Sequence, residues 1–505
     1  MYARCLLVCV CAVLVSAGLS AASIQKRSFS VERRANPHFT GRNGPRALVR
    51  AYRKFLVPVP QGLLDAAEAQ DLRHAEARAK RSPKTESFGP VKLRRPHGKG
   101  LLDNVLESLG VEGEGGIGGN AGQGQGQGQE PSPGRGRGDG NGGGNGGSQQ
   151  GHPSCHDGNN NGNASSAAPP PSYTNGTSQQ GRTEARPANK NAEYVSPVQI
   201  GGQTVNLDFD TGSSDLWVFS TSLGPQLGRG HNVYDPSKSA TARAMPGASF
   251  QIRYGDGSGA KGNITQDRVT VGGVSVEKQA VGVPSDVSQS FVDDVANDGL
   301  LGLAFPELNT ATPERQNTFF ENIKSSLPEP ILSADLRRGA AGSYTFGRVD
   351  PARFRGNLAQ VKVDSADGFW KFPSDRFIIG DGQVQTSKPG AQAIADTGTS
   401  LMLGDATMVR AYYQQVQGAR LNAQMGGFTV PCDAKMPNLT VAMGDDVMAT
   451  VQGENFIFAN ITEAECFGGL QVGPPKLQIY GDVFFQSMYV VFNAGNISLG
   501  VAPHA

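Results

Sequence analysis

One tripeptide used twice constrains this chain more than anything else in it: Asp210-Thr211-Gly212 and Asp396-Thr397-Gly398. Each copy follows a short apolar run, Val205, Leu207 and Phe209 in the first and Ala393, Ile394 and Ala395 in the second. Each is followed by hydroxyl residues, Ser213-Ser214 and Thr399-Ser400. A strand that feeds a glycine-containing turn delivers an acidic side chain at its end, where a groove can receive it. One Asp-Thr-Gly could be accidental in so long a chain; two with matching flanks, 186 residues apart, point to paired functional carboxylates rather than turn residues.

The repeat extends further. Leu300-Leu301-Gly302-Leu303-Ala304-Phe305 follows the first copy, and Ile479-Tyr480-Gly481-Asp482-Val483-Phe484-Phe485 follows the second at a similar offset. The order apolar strand, Asp-Thr-Gly, β-rich span, apolar-glycine strand therefore occurs twice. Such an internal duplication predicts two similar lobes across a cleft, each giving one aspartate.

Asp210 to Val218 (DTGSSDLWV) and Ala395 to Leu401 (ADTGTSL) resemble the two active-site signatures of pepsin-like aspartic endopeptidases. The resemblance runs from about Tyr194 to the C-terminus. Tyr254-Gly255-Asp256-Gly257-Ser258 and Asn297-Asp298-Gly299-Leu300-Leu301-Gly302-Leu303 make it most similar to the secreted fungal enzymes of the aspergillopepsin and penicillopepsin type. The fold this implies is all-β and bilobal with pseudo-twofold symmetry. Short strands punctuated by Gly, Asp and Asn from Tyr194 onward agree, with helices expected only at Thr318 to Ser326 and Ala406 to Gln417.

The net charge of +1 conceals two unlike halves. Residues 1–190 carry 24 basic and 14 acidic side chains; residues 191–505 carry 22 and 31. Dispersed basic charge without a reader motif argues against nucleic acid, and opposite signs suggest that the first half docks on the second. Residues 1–22 read as a secretory signal: Arg4, an apolar run from Leu6 to Val15, then small residues. No other segment is apolar enough to span a membrane, so a soluble, exported monomer is expected, with retention at the cell wall left open. Cys5, Cys9 and Cys11 fall in the signal, Cys155 stands apart, and Cys432 with Cys466 is the expected disulfide, at a place where the family has one. No Cys or His pair stands at zinc-ligand spacing, and no cofactor is implied.

Residues 23–110 read as a prosegment. Lys26-Arg27 and Lys80-Arg81 are dibasic pairs, Leu63 to Arg81 is helix-forming, and Ser28 to Pro60 resembles fungal propeptides. In the family's zymogens a propeptide lysine sits against the catalytic carboxylates; Lys54 is the candidate, with a solvated helix charge as the alternative. Residues 111–190 form a low-complexity linker, with 18 glycines between 111 and 150, and disorder is expected to about Asn189. The lobes are expected at 191–350 and 351–505. Asn263, Asn438, Asn460, Asn496, Asn163 and Asn175 head glycosylation sequons.

Peptide hydrolysis without metal or covalent nucleophile needs a water activated on one side and a carbonyl oxygen protonated on the other. Two carboxylates about 3 Å apart cannot both ionise, so one is held charged and one protonated. The resemblance assigns general base to Asp210 and general acid to Asp396, roles exchanging later in the cycle. It has Thr211 and Thr397 bonding across the axis and Ser213 and Thr399 bonding the outer carboxylate oxygens, with Gly212 and Gly398 completing the loops. The turn at Tyr254-Gly255-Asp256-Gly257 reads as a hairpin. In the family it is the flap over the substrate, with Tyr254 bonded to Trp217. Asp256 followed by Ser258 resembles an arrangement that admits lysine before the scissile bond, and Phe291 and Leu300 are candidate pocket walls or plain core residues. Substrates would be proteins and peptides, with the prosegment as intramolecular inhibitor. Two readings compete. A two-carboxylate glycosidase wants its carboxyls about 5–9.5 Å apart among stacking aromatics, and only two tryptophans are present. The other is a catalytically inactive binding or cell-wall protein on the same fold.

Overall fold

The computed structural model describes residues 43–54, 59–81, 178–189, 192–254, 258–475 and 477–505. The signal, Lys26-Arg27, most of the linker, Cys155, Asn163, Asn175, Gly255 and Asp256 lie outside them. Strands dominate from Gly181 onward, arranged as the duplication requires. Gln203–Asp210 runs parallel to Gly299–Gly302, with Asp210 beside Gly302, and Leu216–Val218 returns antiparallel on the other side of that strand. In the second lobe Gln392–Ala395 runs parallel to Leu477–Tyr480, and Met402–Gly404 returns antiparallel on it. Each apolar-glycine strand thus threads between the two arms of its own Asp-Thr-Gly loop. Phe209, Leu301, Ile394 and Ile479 are fully buried there. Burying a large apolar side chain is worth about 1.5–3 kcal/mol, so these strands fix the loops firmly.

Gly302 and Gly481 show why glycine closes both apolar strands. A Cβ at Gly302 would lie 2.6 Å from the backbone of Ser214 and Asp215, and one at Gly481 would lie 2.0 Å from Thr399 O. Only a residue without a side chain lets the strand meet the loop that follows its aspartate.

The expected linker boundary at residue 190 needs correction. Gly181–Ala188 is a strand, paired antiparallel with both Ala340–Phe346 and Glu193–Ile200 in a 13-stranded sheet. Its inward residues are Gly181, Thr183 and Ala185, and its outward ones Arg182, Glu184 and Arg186. Hydropathy reads small inward residues as polar coil, whereas two flanking ladders supply the order. The same sheet carries the C-terminal strands Met488–Asn493 and Ser498–Pro503, so it joins the two lobes.

The helices sit close to their expected places. Phe319–Ile323 continues as a 3₁₀ turn to Ser326, capped by Thr318 Oγ1 accepting from Glu321 N at 3.1 Å. Ala406–Gln414 is capped by Asp405. Cys432 and Cys466 are bonded, closing a 34-residue separation across the second lobe. Among the described residues two helices precede the sheet: α1 (Gly44–Lys54) and α2 (Gln61–Arg81). Leu48, Val49, Ala51, Leu63 and Ala67 join the hydrophobic core of the lobes. Gly44 abuts the Phe467 ring, and Tyr52 donates its hydroxyl to Val472 O at 3.0 Å. No helix among the described residues is long and apolar enough to cross a membrane.

Candidate active site

Strand geometry delivers Asp210 and Asp396 to the tips of matching loops, and both are fully buried. The loops interlock across the pseudo-twofold axis. Thr211 N donates to Thr397 Oγ1 at 3.2 Å and Thr397 N to Thr211 Oγ1 at 3.0 Å. Each hydroxyl in turn donates to the opposite strand, Thr211 to Ala395 O at 3.0 Å and Thr397 to Phe209 O at 2.5 Å. A hydroxyl both donates and accepts, so two threonines close this network without introducing charge.

Around each carboxylate the donors repeat. Gly212 N and Ser213 Oγ bond Asp210 Oδ1 and Oδ2 at 2.9 and 2.5 Å. Gly398 N and Thr399 Oγ1 bond Asp396 Oδ1 and Oδ2 at 3.0 and 2.5 Å. The motif glycines are required by the approach of the loops: a Cβ on Gly212 would stand 2.5 Å from Asp396 Oδ1, and one on Gly398 2.4 Å from Asp210 Cγ. The two carboxyls therefore face each other in one groove.

Lys54, the last residue of α1, lies on both. Its Nζ is 2.7 Å from Asp210 Oδ1 and 2.8 Å from Asp396 Oδ1. Of the two readings of Lys54, a solvated charge is excluded, because its side chain is 8% exposed. Burial pushes the Asp210 carboxyl up, but the Lys54 ammonium and hydrogen bonds from Lys54, Ser213 and Asp396 outweigh it and hold the group below its ordinary value. At Asp396 burial and the Asp210 charge prevail over Lys54 and Thr399, and the carboxyl is pushed up to about 6. One charged and one protonated carboxyl is the state that like charges in a buried pair favour.

The remaining expected residues gather on one wall of the cleft. Trp217 Nε1 donates to the Tyr254 hydroxyl at 2.8 Å. Phe291 packs edge-on against Trp217 at 4.9 Å and Tyr254 at 5.6 Å. Tyr254, Ser258, Phe291 and Leu300 line the same cavity as Asp210. Tyr254 ends the strand Arg243–Arg253, and Ser258 opens its antiparallel partner Gly259–Val271, so the expected hairpin is present up to the undescribed tip.

Further acidic residues of the cleft were not anticipated. Asp208, Glu193 and Asp294 line this cavity together with Arg50 of α1. Burial, then the Asp294 and Asp208 charges, raise the Glu193 carboxyl well above its ordinary value, with Arg50 opposing. Burial and Asp210 do the same to Asp208. Asp208 had a signal, since alternation places it on the face of Asp210 two residues on. Glu193 and Asp294 are brought near only by tertiary structure.

A buried carboxyl pair on twin Asp-Thr-Gly loops under a hairpin defines the aspartic proteases. Residues 193–504 match the eukaryotic aspartyl protease family, and the chain belongs to it. It is 46% identical to penicillopepsin-1 of Penicillium rubens over 328 residues, which is 64% of this chain and 81% of that protein. Aspergillopepsin-1 of Aspergillus fumigatus is 44% identical over 331 residues, 65% of this chain and 82% of the relative. Aspergillopepsin-1 of Aspergillus oryzae is 46% identical over 331 residues, with 65% and 81% covered. The chain is an aspartic-type endopeptidase, a hydrolase.

Proposed function

We propose that this protein is exported as a zymogen and, once freed of its prosegment, hydrolyses protein peptide bonds at acid pH. A water held between Asp210 and Asp396 is the nucleophile. The charged Asp210 takes its proton while the protonated Asp396 donates to the carbonyl oxygen, and the tetrahedral intermediate collapses with the roles exchanged. The observation that carries this reading is the carboxyl pair itself, its inner oxygens on one ammonium and each outer oxygen on a hydroxyl. Lys54 fills the place of the water and blocks the substrate path. The apolar run at the N-terminus supports export. Tyr254, Phe291 and Leu300 favour large apolar side chains before the scissile bond, and Asp256 admits lysine there.

Denatured haemoglobin or casein should be cleaved at acid pH, and a statine-containing peptide should stop it. Asp210→Asn should lower kcat by about 10³-fold or more. A folded, mature protein without such cleavage would restore the reading of an inactive binding protein. For lysine, the ratio of kcat/KM on lysine and norleucine substrates should fall in Asp256→Thr; an unchanged ratio removes the assignment.

A further inference from the structure

His231 lies behind the pocket wall, outside the residues assigned above. Its side chain has no exposed surface. The ring stacks on Phe219, centroids 3.7 Å apart and planes 8° from parallel. Nδ1 is 3.1 Å from Asn297 O, and Nε2 is 3.2 Å from Val292 O. Both neighbours are backbone carbonyls, which only accept. A neutral imidazole has one N–H, so it can satisfy one of them and must turn a lone pair on the other; the imidazolium donates to both.

The surroundings carry the same sign. Asp298 Oδ1 stands 3.6 Å from Nδ1, in a carboxylate that is itself buried. That carboxylate accepts from Asn232 N, Asn232 Nδ2 and Asn206 N, each at 2.8 Å. These dipoles leave its charge facing the ring. Asp293 and Asp294, on the segment that the ring bridges, bond Gln289 and Asn189 instead. Arg229 stands two residues earlier on the histidine's own loop.

The two carbonyls bracket residues 292–297. This segment leaves the short helix Gln289–Val292, which carries Phe291, and enters the strand Gly299–Gly302, which carries Leu300. A ring that holds both ends therefore holds the wall that meets Trp217 and Tyr254.

We propose that His231 acts as a staple, a positioning residue that donates from both ring nitrogens and so sets the two ends of the substrate-pocket wall. The loss of one hydrogen bond, about 1 kcal/mol, corresponds to roughly a fivefold change in affinity.

The kinetic part rests on the proposed proteolysis; the spectroscopic part does not. In full-chain Asp210→Asn protein with ¹⁵N-labelled histidine, both ring nitrogens of His231 should carry protons at pH 4, the signal being assigned by its loss in His231→Gln. A singly protonated ring at that pH overturns the proposal, whether or not the enzyme cleaves anything. In the active enzyme at pH 4, His231→Gln, whose single amide nitrogen replaces two ring nitrogens, should raise KM for a peptide with a large apolar residue before the scissile bond about fivefold, with kcat within about twofold of the parent. A KM in the variant equal to the parent's also overturns it. If His231→Gln does not fold, assignment passes to histidine-selective labelling with His504→Gln and the remaining single substitutions.

Discussion

At Asp396, burial and a hydroxyl pull in opposite directions. Burial and the Asp210 charge raise the carboxyl, Lys54 and the bond from Thr399 Oγ1 lower it, and the balance stands at about 6. Thr399→Val removes the donor and keeps the shape, so the carboxyl should rise further. The protonated form then persists to higher pH, and the alkaline limb of the kcat/KM profile should move to higher pH. A limb that stays put or moves down would show that Thr399 does not tune this group. Ser213→Ala should act in the same direction on Asp210, since its hydroxyl lowers that carboxyl, moving the acid limb upward instead. Measuring both variants separates the charged partner from the protonated one.

Among the elements, the second lobe's disulfide is far from the dyad in role as well as in chain position. Val430 pairs with Cys466 across the ladder of Gly427–Pro431 and Glu465–Gly468, so the bond pins the end of a ladder that already has its hydrogen bonds. Replacing both cysteines by serine should cost roughly 2–4 kcal/mol in urea unfolding, with kcat at acid pH within about twofold of the parent. A large loss of kcat would mean that the bond also shapes the cleft. The strand Gly181–Ala188 belongs to this scale too. Its residues alternate correctly, but the inward ones are Gly, Thr and Ala, and no hydropathy pattern marks them. The apolar strands before each Asp-Thr-Gly were legible because Val205, Leu207 and Phe209 need a dry face. The first strand exists because two neighbours offer open edges, which only the assembled sheet can do.

For the whole molecule, the grip of the proposed prosegment should depend on pH with a definite sign. Lys54 lowers both Asp210 and Asp396, so both carboxyls bind protons more readily once it leaves. Release therefore takes up protons, and affinity is complete at higher pH and lost as pH falls through about 6 and below. Arg50 acts on Glu193 with the same sign. A synthetic peptide spanning residues 43–81, added to mature enzyme, should inhibit best near neutrality and weaken steadily in acid. Inhibition that strengthens as pH falls would reverse the assignment. Lys54→Met should weaken inhibition and flatten its pH dependence together, because the ammonium is the group through which both carboxyls are read.

The duplication, read from the residues alone, determined the paired carboxyls, the symmetry of their loops and the glycines that close them, because a repeated local motif folds locally in the same way twice. Resemblance to known enzymes added the flap and the pocket wall. Tertiary structure alone decided that Lys54 reaches both aspartates from a helix more than a hundred residues away in sequence, that Glu193 and Asp294 share one cavity, and that His231 lies between two carbonyls. Such meetings depend on which surfaces pack together. Charge and hydrogen-bond complementarity across distant segments leaves no periodic trace in a chain, whereas a strand or a turn does.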